Sequence, residues 1–121
     1  MGSGFVNKGQ GKGGQYGSAY PKITDNGNSG ASKTIDLRTG NVQKITMTDN
    51  CTLTFTAPTA PCLLTLIMIQ DGTGTRTPTF PGTVKWNGGT EPTWSEVAGE
   101  TNILSMYYDG ANYLADGWVQ S

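Results

Sequence analysis

Histidine is absent from this sequence of 121 residues. That removes the Ser-His-Asp triad, the imidazole general base and His-built metal clusters. Charge is scarce as well: Asp, Glu, Lys and Arg make up 14% of the chain, against about 25% in an ordinary domain. So little charge argues against long solvated helices and coiled coils. The net charge of −1 sets up no field to draw in nucleic acid or an anionic membrane, and neither is expected as a partner. Apolar runs are short. The longest, residues 63–69, is broken by Thr65, so no segment is expected to cross a bilayer. The opening ten residues, MGSGFVNKGQ, contain no apolar stretch, and no secretory signal is expected. Two cysteines, Cys51 and Cys62, are too few for a disulfide framework or a four-ligand zinc site. They suit buried free thiols packed as small hydrophobes, with an intrachain bridge or an intersubunit disulfide as the alternatives.

Glycine, by contrast, is plentiful. Residues 1–30 hold nine of the 18 glycines and few substantial apolar side chains. Such a stretch buries too little apolar surface to offset its chain entropy. Residues 1–31 therefore read as an extended Gly-rich N-terminal arm, ordered by lying on a partner protein. Phe5, Val6, Tyr16, Tyr20 and Ile23 would be its anchors, with Lys8 and Lys12 adding a slight positive charge. The remainder carries five Lys/Arg against eight Asp/Glu.

Residues 32–121 read as all-β. Alternation predicts strands at 34–38, 42–48, 51–55, 77–80, 84–86 and 102–108, with the chain turning back into Tyr113 and Leu114. Residues 62–70 form the most apolar segment and are expected to be a central strand covered on both faces. Thr39-Gly40-Asn41, Asp49-Asn50, Asp71-Gly72-Thr73-Gly74, Asn87-Gly88-Gly89 and Asp109-Gly110 supply turns. Thr recurs at 46, 48, 52, 54 and 56, which suits the wet face of a strand. Glu96-Val97-Ala98 could make one helical turn. Short strands between such turns indicate a sandwich or barrel. Its core is small enough that association with further copies would add needed burial.

Motifs that carry chemistry are weak. Gly9-Gln10-Gly11-Lys12-Gly13-Gly14 matches G-x-G-x-x-G, but without the strand before it and helix after it that place pyrophosphate on a helix N-terminus. Asn50-Cys51-Thr52 spells a glycosylation sequon that turn chemistry explains better. Glu91, Glu96 and Glu100 show no sign of a paired-carboxylate cleft. Asp71-Gly-Thr-Gly lacks the later acidic positions of a calcium loop. No catalytic, metal-binding or cofactor-binding residue is expected, and no cofactor. Aromatic residues gather late in the chain. Trp86, Trp94, Tyr108 and Trp118 are candidates for a ligand or subunit contact, with core packing as the plainer role.

Taken together, several segments resemble a known module. They are Thr34-Ile-Asp-Leu, Gly40-Asn41, Ile45-Thr-Met-Thr, Thr52-Leu-Thr-Phe, Leu66-Ile-Met-Ile-Gln-Asp-Gly-Thr-Gly, Thr79-Phe-Pro, Val84-Lys-Trp, Gly88-Gly-Thr-Glu-Pro and Ile103-Leu-Ser-Met-Tyr-Tyr-Asp-Gly. The pattern, over about residues 32–118, is similar to a β-rich module of bacteriophage virion proteins, found in capsid decoration (cement) proteins, head fibres and tail-fibre tips. The two cysteines and the arm are not part of it. The resemblance implies a jelly-roll or sandwich unit that trimerises, with no catalytic residues. The expected architecture is a single antiparallel, jelly-roll-like β-sandwich behind the arm. A compact domain behind a short arm suits a homotrimeric cement protein on the virion surface, its arms gripping the major capsid protein or another virion protein. The alternative is a tail-fibre or spike tip that recognises a host-surface glycan or protein.

Overall fold

The computed structural model describes residues 22–121. Nine strands are present there: β1 Ile23–Asn28, β2 Ser32–Asp36, β3 Val42–Met47, β4 Cys51–Thr56, β5 Cys62–Gln70, β6 Pro78–Thr79, β7 Val84–Trp86, β8 Thr101–Tyr108 and β9 Tyr113–Val119. Only two short 3-10 turns, Leu37–Thr39 and Asn87–Gly89, interrupt them. The strands make a six-stranded sheet, ordered β1-β3-β5-β8-β9-β7, and a three-stranded sheet, ordered β2-β4-β6. The domain is all-β, as its alternating pattern requires, and residues 96–98 form no helix.

Strand direction departs from the antiparallel expectation. From β1 to β7 the chain alternates between the two sheets, and each strand lies parallel to the one before it in its own sheet: β1 with β3, β3 with β5, β2 with β4, β4 with β6. Parallel neighbours need a crossover of about a dozen residues, usually a helix. Here the crossover is the strand in the opposite sheet, so the first half of the domain is a flat winding rather than a jelly roll. Only β8 is antiparallel to its neighbours β5 and β9, and β7 closes the sheet parallel to β9. The Gly and Asn segments that read as turns are mostly corners between sheets.

The domain also begins earlier than its composition suggests. Ile23–Asn28 is a strand of the large sheet, with Ile23 opposite Val42 and Asn28 opposite Thr46. Residues 23–28, which composition groups with the arm, are therefore part of the sheet. What holds β1 is polar. Asn26 Nδ2 donates to Gln43 Oε1 at 3.0 Å and to the Lys44 carbonyl at 3.1 Å, and Lys44 Nζ lies 3.8 Å from Asp25. Hydrophobic periodicity has no means of detecting such a strand.

The core lies between the sheets. Ile35 and Leu53 of the small sheet face Ile45, Met47, Leu64, Leu66, Met68, Leu104 and Met106 of the large one. Each such side chain contributes roughly 1.5–3 kcal/mol on burial. Three strands cannot cover six, and the inner face at β7 and β9 is closed by aromatics instead. Phe80, Trp86 and Trp94 meet there with ring centroids 5.4 to 6.1 Å apart, beside Phe55, Tyr113 and Tyr108. Corners leave backbone groups without ladder partners, and buried amides satisfy them. Gln70 Nε2 donates to the Arg76 and Ser95 carbonyls, and its Oε1 accepts from Arg76 N. Asn102 Nδ2 donates to the Ser95 carbonyl while its Oδ1 accepts from Ser95 N.

Candidate functional site

Successive side chains of a strand point to opposite faces, so register places every outward residue of the large sheet. Four rows cross its outer face. One runs Leu63, Tyr107, Leu114, Lys85; the next Ile23, Val42, Thr65, Ser105, Asp116; the third Asp25, Lys44, Ile67, Ile103, Trp118; the fourth Asn28, Thr46, Ile69, Thr101. The small residues Thr65 and Ser105 form a floor between two apolar ridges. A groove of about 720 Å³ lies against this face, lined by Leu63, Thr65, Ser105, Tyr107, Leu114 and Asp116, with β7 at its side. Asn87 Nδ2 donates to Asp116 Oδ2 at 3.2 Å and ties the groove's rim to β9. The ridges are open to solvent: Leu63 is 73% exposed and Trp118 55%.

The outer face of the small sheet is the opposite in character. Ser32, Thr52 and Thr79 form one row, Thr34 and Thr54 the next. It is a neutral, hydroxyl-covered surface of the kind that water tolerates on a strand.

The residues singled out from the sequence scatter. Phe5, Val6, Lys8, Lys12, Tyr16 and Tyr20 lie outside the described residues. Ile23 sits on the outer face of β1, exposed, within the domain's own sheet. Trp94 is 8% exposed and Trp86 half-buried, both in the aromatic cluster. Tyr108 is half-buried against Tyr113. Of that set only Trp118 offers a free ring. Both cysteines are free thiols. Cys51 is 1% exposed, which leaves it no path to a thiol of another chain, and burial pushes its ionisation above the usual thiol range. Cys62 is partly exposed.

Several acidic residues are bonded within the fold. Glu91 Oε2 accepts from Trp94 Nε1 at 2.8 Å, and Glu100 accepts from Ser95 Oγ. Asp71 pairs with Arg76 at 3.0 Å and accepts from the Thr73 and Gly74 amides. The Arg76 guanidinium, then those amides, hold its carboxyl below the usual range. Asp36, clasped by Arg38, is lowered to about 2. Asn50, the sequon residue, accepts from both Thr77 N and Thr77 Oγ1 and clamps β4 to the approach of β6. Among the described residues no group of three His, Cys, Asp or Glu could hold a metal ion, and no helix is long and apolar enough to cross a membrane.

A family model described as "Putative phage tail fibre C-terminal domain" matches residues 23–113. The chain belongs to that family. The match opens on the first residue of β1 and ends on the first residue of β9, so the tail fibre domain includes the polar edge strand that composition assigned to the arm. Membership makes this a phage virion protein, in line with the resemblance of residues 32–118 to virion β-modules. Searches of curated proteins and of solved structures returned no match. The surface residues of this domain that sequence reading passed over are Leu63, Ile67, Ile103 and Leu114. Their signal was present in β5, whose apolar residues occupy both faces although a two-layer body covers only one.

Proposed function

We propose that this chain is a homo-oligomeric tail-fibre module of a phage, a non-catalytic part of the tail that meets the host surface and binds a glycan or protein there. The family match over residues 23–113 supports this reading. Capsid decoration requires an arm of about thirty residues separate from the body. Residues 23–28 instead belong to the sheet, and the family is one of tail fibres, so the capsid reading yields to the tail. Binding fits the chemistry on the page: each carboxylate described above serves a turn, a ring or an ion pair within the fold. Immunogold microscopy of intact virions with antibody to this chain tests the assignment. Gold is expected at the tail, and label confined to the capsid shell would overturn it. Purified protein is also expected to slow adsorption of the same phage to its host. Unchanged adsorption at saturating protein counts against a host-contacting role.

A further inference from the structure

We infer that the cleft at one end of the sandwich, where β4 meets the end of β8 and the start of β9, holds the acetamido group of an N-acetylated sugar. The inference rests on the host-contacting reading above and names the group recognised. The cleft has a volume of about 220 Å³, below the roughly 300–1,000 Å³ of sites for drug-sized ligands, so it suits one sugar residue or a part of one. Phe55 of β4 and Tyr108 and Tyr113 of the large sheet supply its rings. The Phe55 and Tyr108 centroids lie 5.3 Å and 4.9 Å from that of Tyr113. Ala57, Pro81 and Ala111 complete an apolar wall, and no charged side chain lines it.

One hydroxyl in this wall lacks a partner. Tyr113 is 4% exposed, yet its hydroxyl makes no hydrogen bond among the described residues. The neighbouring Tyr108 hydroxyl is taken up by the Gly110 carbonyl at 3.0 Å. Buried polar groups without a partner are rare and costly, and each needs an explanation. Burial pushes the Tyr113 phenol above its usual range, so the oxygen keeps its proton and can donate it to an acceptor. The lining selects that acceptor. A phosphate or carboxylate would meet no counter-charge in the cleft. A sugar edge bearing only hydroxyls would strand several of them against alanine, proline and phenylalanine. An acetamido group offers a methyl to the apolar wall and a carbonyl oxygen to Tyr113. Its N–H and the remaining sugar hydroxyls then face the rim, where Thr54 and Thr83 are exposed.

Amide NMR of the isotope-labelled full chain during titration with N-acetylglucosamine and N-acetylgalactosamine tests the inference, with glucose as the control. Either acetylated sugar is expected to shift the amides of Phe55, Ala57, Ala111 and Tyr113 saturably at millimolar concentration, and glucose to leave them in place. Tyr113→Phe removes the oxygen and keeps the ring. It should weaken binding about five- to tenfold, the worth of one hydrogen bond, without lowering the melting temperature, because the hydroxyl has no partner in the fold. Shifts gathered at the exposed rings Tyr107 and Trp118 would move the sugar to the outer face of the large sheet and overturn the assignment. An equal response to glucose, no response, undiminished affinity of the variant or a lowered melting temperature also overturns it. The adsorption assay separates the two readings. Protein that slows adsorption but ignores acetylated sugars refutes the cleft alone. Protein that binds them without slowing adsorption refutes the host-contacting role alone.

Discussion

Gly117 lies directly beneath the indole of Trp94. A Cβ at position 117 would stand 2.5 Å from Cη2 and 2.7 Å from Cζ3 of that ring, and 2.8 Å from Cγ of Pro92. The ring has little freedom to retreat, because its Nε1 is bonded to Glu91 and its other side meets Phe80 and Trp86. The glycine in β9 is what lets one loop serve as the missing second layer over the far half of the large sheet.

Gly117→Ala should therefore destabilise the domain by overpacking, at about 1–3 kcal/mol. Urea unfolding followed by tryptophan fluorescence checks this. A lowered midpoint is expected, with a changed native spectrum as the rings shift. An unchanged midpoint would mean that the loop over β9 yields freely.

Gln43 is fully buried and connects three parts of the chain. Its Nε2 donates to the Gly40 carbonyl at 2.8 Å, Thr39 Oγ1 at 3.1 Å and the Asp36 carbonyl at 3.3 Å, while Oε1 accepts from Asn26. Gln43→Met keeps the volume and leaves those groups unpaired, a cost of about 2–3 kcal/mol. Hydrogen exchange should show the loss first in β1, which depends on Asn26 for its docking. Uniform loss of protection across all strands would contradict that dependence.

Asp71 gives the fold an acid-sensitive joint at the end of β5. Its folded-state carboxyl is held below the unfolded value of about 3.9. The folded state thus binds fewer protons in that window, and the stabilisation is present above about pH 4 and lost as pH falls through the lowered value. Asp71→Asn removes the ion pair with Arg76. Thermal melts should show wild type above the variant by a constant margin near neutral pH, with the margin shrinking below about pH 4. A margin that persists to the lowest pH would show that the carboxylate's charge is not its source.

Much of the fold is legible in the residues. Ile45 and Met47, Leu64, Leu66 and Met68, and Leu104 and Met106 alternate with outward neighbours, and each is buried as its position requires. Strand limits at 42–47, 51–56, 62–70, 84–86 and 101–108 follow the same alternation closely. The site is less legible. Trp94 looks like a ligand platform because a lone tryptophan between Thr93 and Ser95 carries no periodic sign of which way it faces. Only the glycine across from it, far along the chain, explains its burial. Leu63 sits in an apolar run that suggests cover on both sides, yet among the described residues it is 73% exposed.

Composition and alternation alone determined that this is an all-β module, without histidine chemistry, whose side chains sort into inward and outward sets. They do so because a period of two is a local property that each strand carries by itself. Strand direction, the partner of each strand, the membership of Ile23–Asn28 in the large sheet and the closure of the aromatic cluster were decided only in three dimensions. A corner between sheets and a hairpin turn use the same glycines and asparagines. Contacts such as Asn26 with Gln43, or Gly117 with Trp94, join residues that no local pattern relates.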